Sequence, residues 1–171
     1  MKGFENIKPK INNLKFPNGK IEIYMEDGRI LFIPLKYFPS IKKLNIAQRK
    51  KWSILDGIGF LFEDSDEIFH LYQILGNVDL TILKKPNSVE GFLEIEPKIK
   101  NLKFPNGRIE IYLEDGRIIS VPLKYFPSIK KLTMVQRKKW GILDGIGFDF
   151  EDCDELFHLY HIMGKVEPPC C

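Results

Sequence analysis

Three groups of ionisable side chains in this sequence are of types that do chemistry. The first is acidic: Glu151, Asp152, Asp154 and Glu155, mirrored by Glu63, Asp64, Asp66 and Glu67. Paired carboxylates hold hard cations or move protons. The Asp-x-x-Glu spacing of Asp152 and Glu155 is also that of a capping box, in which carboxylates satisfy free N–H groups and the helix dipole. The structural reading is the expected one. The second group is Asp154, His158 and His161, at the i, i+4 and i+7 positions of one helical face. Two imidazoles and a carboxylate suit a transition metal. The corresponding earlier residues are Asp66, His70 and Gln73, so the third ligand is missing there, and no metal is expected.

The third group is basic. Lys124, Lys130, Lys131, Arg137, Lys138 and Lys139 precede the next acid, Asp144, and Lys36, Lys42, Lys43, Arg49, Lys50 and Lys51 repeat them. A solvated helix face is the expected reading, and beside Trp140 and Trp52 such a patch also suits a phosphate backbone or an acidic protein surface. Gly145-Ile146-Gly147 resembles a phosphate loop only superficially. It precedes a strand, lacks a following Lys-Ser/Thr, and is assigned to turn geometry.

Every group has its mirror because residues 3–78 return, without a gap, as residues 91–166. The offset is 88, with about 57 identities in 76 pairs. Units of this length exceed the roughly 20–50 residues of solenoid repeats and stand near the lower limit of independently folding domains. The expected organisation is a first repeat domain at 1–78, a linker at 79–90, a second repeat domain at 91–166 and a tail at 167–171. The linker apolars Leu80, Ile82 and Leu83 are expected to dock. The chain carries +3 net charge, no apolar run long enough to span a bilayer and no apolar signal-peptide core. Its three cysteines, Cys153, Cys170 and Cys171, form neither a disulfide framework nor a zinc set. A bacterial-type reducing cytoplasm is expected.

Within one copy, Ile99–Phe104 reads as a strand and Phe104-Pro105-Asn106-Gly107 as a turn. Residues 108–114 alternate apolar and polar, the mark of a half-buried strand. Asp115-Gly116 is a hairpin signal, and residues 117–123 return as a third strand. Thr133–Gln136 and Asn45–Gln48 read as capping boxes. The helix after Thr133 is expected to run through Trp140 and stop near Asp144-Gly145. Gly147–Phe150 reads as a fourth strand. A second capping box, Asp152–Glu155, should open a helix closing at Gly164, with Leu156, Tyr160 and Met163 buried. The expected fold is α+β: two tandem copies of a small βββααβα domain with an antiparallel sheet, related by a pseudo-two-fold axis.

The run Asp115-Gly116-Arg117, Val121-Pro122-Leu123, Tyr125-Phe126-Pro127, Gln136-Arg137-Lys138-Lys139-Trp140, Gly145-Ile146-Gly147-Phe148 and Asp152-x-Asp154-Glu155 resembles a small bacterial family, domain of unknown function 2442. The resemblance covers both repeats. It departs at Ser40 and Ser128, where the family often has Arg, and at Phe62 and Phe150, where Trp is usual. It implies a small α+β domain, found alone, fused to a helix-turn-helix, or beside short partner genes in toxin–antitoxin-like pairs. It implies no established activity.

Two differences between the copies are not conservative: Phe32 becomes Ser120 and Leu61 becomes Asp149. Both fall on outward strand positions. Phe32 and Leu61 are expected to be covered by the linker, the other copy or a partner, with Ser120 and Asp149 more exposed. The expected function is a non-enzymatic protein-interaction module, an adaptor, inhibitor or antitoxin-like regulator, working without a cofactor. Its candidate partner-binding residues are Phe32, Leu61, Arg49, Lys50, Lys51, Arg137, Lys138 and Lys139. The alternative is a nucleic-acid-binding regulator using the doubled basic patch.

Overall fold

The computed structural model describes residues 3–4, 7–75, 90–92 and 95–164. The apolar alternation after the Pro-Asn-Gly turn produces a three-stranded meander: β1 (Ile11–Lys15), β2 (Lys20–Met25) and β3 (Ile30–Pro34). Ile21, Ile23, Met25, Leu31 and Ile33 all point into the core. A 3-10 turn follows. Then come two single-turn helices, α1 (Pro39–Lys42) and α2 (Ile46–Arg49). A second antiparallel sheet, of β4 (Trp52–Leu55), β5 (Gly59–Phe62) and β6 (Ile68–His70), leads into α3 (Leu71–Leu75). Its Phe60, Phe62 and Phe69 form an aromatic cluster, with Phe60 and Phe69 stacked at 5.4 Å.

The second copy repeats this plan. Its meander is β7 (Ile99–Lys103), β8 (Arg108–Leu113) and β9 (Ile118–Pro122), followed by α4 (Pro127–Lys130) and α5 (Met134–Arg137). β10 (Trp140–Leu143), β11 (Gly147–Phe150), β12 (Cys153–His158) and α6 (Leu159–Met163) complete it. The class is α+β, as the alternation and turns indicate. Both capping boxes, Asn45–Gln48 and Thr133–Gln136, are formed.

The expected order βββααβα needs two corrections. The helix after Thr133 ends at Arg137, and Trp140–Leu143 is a strand. Asp144 and Gly145 have φ of 51° and 77°, and Ile146 N donates to Leu143 O, so they form a hairpin turn and not a helix C-cap. The segment opened by Asp152 is likewise a strand through His158. Phe157 alone among residues 154–157 is buried, Leu156 is 53% exposed, and the helix begins only at Leu159. In both segments sheet pairing prevails over a weak helical pattern: Trp140–Leu143 pairs with Gly147–Phe150, whose Phe148 and Phe150 are buried, and Phe157 pairs with Phe148.

The two meanders form one sheet, in the order β1-β2-β3-β9-β8-β7. β3 and β9 pair antiparallel, with Leu31 opposite Ile119, Ile30 opposite Ser120 and Phe32 opposite Ile118. Leu31 and Ile119 are equivalent residues, so a pseudo-two-fold axis passes between them. Reciprocal contacts follow that axis. Tyr37 Oη donates to Asp115 O at 2.9 Å, and Tyr125 Oη to Asp27 O at 2.8 Å. The Gly-Phe pair that opens each repeat packs on the opposite half. Phe4 N donates to His161 O and Phe92 N to Gln73 O, and the two rings lie 4.4 Å from Tyr125 and Tyr37 respectively. Glycine is required at this crossing. A Cβ on Gly3 would fall 2.2 Å from His161 O, and one on Gly91 would fall 2.6 Å from Gln73 O.

Candidate interaction surfaces

The Asp-Gly-Arg hairpins prove to be the principal lock between the halves. Arg29 and Arg117 are each 1% exposed. Asp27 holds the Arg29 guanidinium through both carboxylate oxygens, and Asp115 does the same for Arg117. Arg29 Nη1 donates across the joint to Ile162 O and Met163 O. Arg117 Nη1 donates to Ile74 O and Leu75 O. Each guanidinium thus satisfies carbonyls in the terminal helix of the opposite copy and also lies over Phe4 or Phe92, at 4.2 and 4.0 Å. The resemblance made the motif visible, but spacing alone did not reveal a buried inter-half role.

The acidic groups do not cap helices. Ser40 Oγ donates to Glu67 Oε1 at 2.8 Å, and Ser128 Oγ donates to Glu155 Oε1. Asp64 lies 4.0 Å from Lys51, and Asp152 4.0 Å from Lys139. Asp152→Ala should therefore cost under about 1 kcal/mol, the scale of an exposed ion pair. Thr133→Ala, which removes a formed cap, should cost about 0.5–2 kcal/mol. Paired denaturation curves check this, and the reverse ranking would restore the capping role of Asp152.

Asp154, His158 and His161 do not share a helical face, because the helix starts after His158. His158 Nδ1 accepts from Tyr160 N, and His161 Nδ1 accepts from His158 N. In the first copy His70 Nδ1 accepts from Tyr72 N, and burial pushes the His70 imidazole below its ordinary pKa. Among the described residues, no three His, Cys, Asp or Glu side chains are assembled as a metal site.

The basic runs are partly committed to the fold. Arg49 Nε and Nη2 donate to Ile41 O and Lys42 O, and Arg137 makes the same bonds to Ile129 O and Lys130 O. Lys51 and Lys139 face the aspartates described above, whereas Lys50 and Lys138 are exposed. Lys50 and Lys138 border two equivalent depressions of about 230 Å³. The first has Leu14, Phe16 and Trp52 as its apolar lining, with Ile46 beside them. Lys15, Arg49 and Lys50 supply its charge. The second is its counterpart around Trp140, Phe104 and Met134. Part of this site was legible as the basic run and its tryptophan. Lys15, Phe16 and Ile46 were missed, because they come from a separate strand and from the exposed side of α2.

Phe32 and Leu61 are half-buried. The other copy supplies part of the cover for Phe32, which pairs with Ile118 on the outer face of the shared sheet. That face also carries a depression of about 500 Å³ bordered by Phe32, Ile118, Lys20, Glu22 and Glu110. Leu80, Ile82 and Leu83, as well as Cys170 and Cys171, lie outside the described residues. The expectation for Ser120 is corrected: it is 3% exposed and more buried than Phe32. Arg108 covers it, donating from Nε to Ser120 Oγ at 2.7 Å and from Nη2 to Gly28 O of the first copy. The Lys20/Arg108 and Phe32/Ser120 differences are therefore coupled. Asp149 is half-buried, as Leu61 is, and lies opposite Gly141 where Leu61 faces Ser53.

On the same sheet face, Tyr24 and Tyr112 donate to Glu22 and Glu110 at 2.6 Å. Ionising either phenol would break that bond and place two anions together, so both are pushed up to about 12 from 10.0. Their folded-state values exceed the unfolded one. Their contribution to stability is complete below pH 10 and is lost as pH rises through about 12. An ultraviolet difference titration should show this late step, and its amplitude should fall by two phenols in a Tyr24→Phe, Tyr112→Phe variant, with Tyr72, which burial also pushes up, still ionising late. Ionisation of both at the ordinary value would contradict the hydrogen-bond assignment.

These elements define a tandem α+β protein whose two halves form an internal pseudo-dimer, and no helix among the described residues is long and apolar enough to cross a membrane. A family model described as "Protein of unknown function (DUF2442)" matches residues 11–78 and 99–161, once in each copy. The chain belongs to that family. No curated protein and no solved structure gives a match.

Proposed function

We propose that the chain is a non-enzymatic interaction module, an adaptor, inhibitor or antitoxin-like regulator, that presents two equivalent surfaces to a protein partner. The observation that carries this reading is the pair of matching depressions at Trp52 and Trp140, one on each side of the pseudo-two-fold axis. Two linked sites raise effective concentration, so a partner with two epitopes gains avidity without new contacts. The reading is supported by the roles of His158 and His161 at the start of α6, and of Glu67, Glu155, Asp64 and Asp152 as partners of surface serines and lysines.

The nucleic-acid reading draws on the same basic runs. It is weakened because Lys51 and Lys139 face carboxylates. The test is capture by the full chain from cells of its source, with and without nuclease, followed by mass spectrometry. A protein retained in near-stoichiometric amount and insensitive to nuclease is expected. A nuclease-sensitive catch, with tight salt-dependent mobility shifts, would replace the protein-partner reading.

A further inference from the structure

We infer that the twin depressions are docking sites for acidic protein segments. Each site would seat one bulky apolar side chain against Trp52 or Trp140 while Lys50 or Lys138 faces the segment's carboxylates. This rests on the interaction-module reading and specifies the chemistry of the partner. The size comes first. At about 230 Å³ each site is smaller than the roughly 300–1,000 Å³ of small-molecule sites, and it suits an anchoring side chain better than a cofactor. Aromatic anchors in small apolar sockets, rimmed by charge, are a common basis of protein recognition.

The rim is the second argument. Ile46 is 71% exposed and Met134 67% exposed, both at the lip of their depression, and Val135 beside Met134 is 67% exposed. A single exposed apolar side chain is ordinary. Here the same helical position is apolar and open in both copies, next to a socket. The site also keeps its chemistry where other surfaces do not. Leu, Lys, Phe, Arg, Lys and Trp recur at six of the seven lining positions, and the seventh exchanges Ile46 for Met134. Meanwhile Phe32/Ser120 and Leu61/Asp149 have changed character.

Charge selects the partner. Each lining contains two lysines and an arginine and no carboxylate. Arg49 and Arg137 are held by neutral carbonyls, so no acid within the site cancels their charge. Lys15 lies over Tyr24 and Lys103 over Tyr112, and each stands opposite Glu22 or Glu110 across the strands, so the uncompensated charge of the site is that of Arg49 and Lys50, or Arg137 and Lys138. An acidic segment complements this surface. A single-stranded nucleic acid would also meet the cations. It would also find stacking faces on Phe16 and Trp52, or Phe104 and Trp140; the aliphatic Leu14 and Ile46, or Leu102 and Met134, beside them favour an apolar side chain, and the single-stranded DNA arm of the test separates the two.

Trp52 and Trp140 are the chain's two tryptophans, so their emission reports both sites and nothing else. Panning a random-peptide library on the full chain should enrich peptides with Asp or Glu flanking a Leu, Phe or Trp. An enriched peptide carrying Leu or Phe should shift the tryptophan emission and saturate at two per chain. It should bind at least about tenfold more weakly to a Lys50→Glu, Lys138→Glu variant, a loss of about 1.4 kcal/mol. Both lysines are exposed, so the variant's melting curve should match wild type. Failure to enrich acidic-apolar peptides, equal binding by the variant, or an emission shift with single-stranded DNA and none with peptide would each overturn the inference. If the variant still captures the wild-type partner from the host, the interaction-module reading stands and the site lies elsewhere. If wild type captures no protein, that broader reading fails as well.

Discussion

Arg117→Ala is expected to lower unfolding free energy by about 3–5 kcal/mol, and Arg29→Ala by a similar amount. Each arginine is buried, paired to one aspartate through two oxygens, and bonded to two carbonyls of the opposite half. Truncation leaves a carboxylate 5–6% exposed without its counter-ion and strands helix-end carbonyls. It also empties the space over Phe92 or Phe4. Native domains are stable by only about 5–15 kcal/mol, so either change should bring the chain near unfolding at moderate denaturant. Lysine should not rescue either position, because an ammonium group cannot reproduce the planar fork. Arg137→Ala serves as the surface comparison, and about 1.5–3 kcal/mol is its expected ceiling as a charged hydrogen-bond donor. Urea denaturation of the five variants decides the matter. A cost for Arg117→Ala no greater than that for Arg137→Ala would show that the hairpin lock does not hold the halves.

The second large effect concerns separation of the repeats. A chain of residues 90–171 alone is expected to form a two-fold homodimer. Without residues 1–89, Phe92 loses Tyr37, the Arg117 guanidinium loses Ile74 O and Leu75 O, and β9 becomes a free central edge. A second copy restores every partner, with Ile119 opposite Ile119 in place of Leu31. Light scattering should give twice the chain mass, and melting temperature should rise with concentration, as for any fold stabilised by association. A folded monomer with concentration-independent melting would mean that each repeat closes its own core and the joint is incidental.

Much of the fold was legible because its signals are local. Strand alternation at residues 108–113, the Asp-Gly hairpin and the two capping boxes each depend on neighbouring residues. The misread segments were those in which one local pattern fits two structures. Asp144-Gly145 suits both a helix end and a type I′ turn, and Asp152–Glu155 has capping spacing whether or not a helix follows. The pairing of Phe150 with Cys153 and Trp140, which decides for strands, is tertiary. The site was half legible for the same reason. Lys50 and Trp52 are neighbours in sequence, whereas Phe16 reaches them only after the meander and α2 have packed. The burial of Ser120 was illegible because it depends on Arg108, a substitution that looks conservative until its reach to Gly28 is seen.

The measurement that bears most directly on the account is the affinity of the captured host partner for four proteins: wild type, Lys50→Glu, Lys138→Glu and the double variant. Two equivalent, linked sites predict that the single variants bind alike, each weaker than wild type by the per-site factor of at least about tenfold, while the double variant loses about that factor twice over. If one single variant binds like wild type and the other like the double, only one half engages the partner and the bivalent account is wrong.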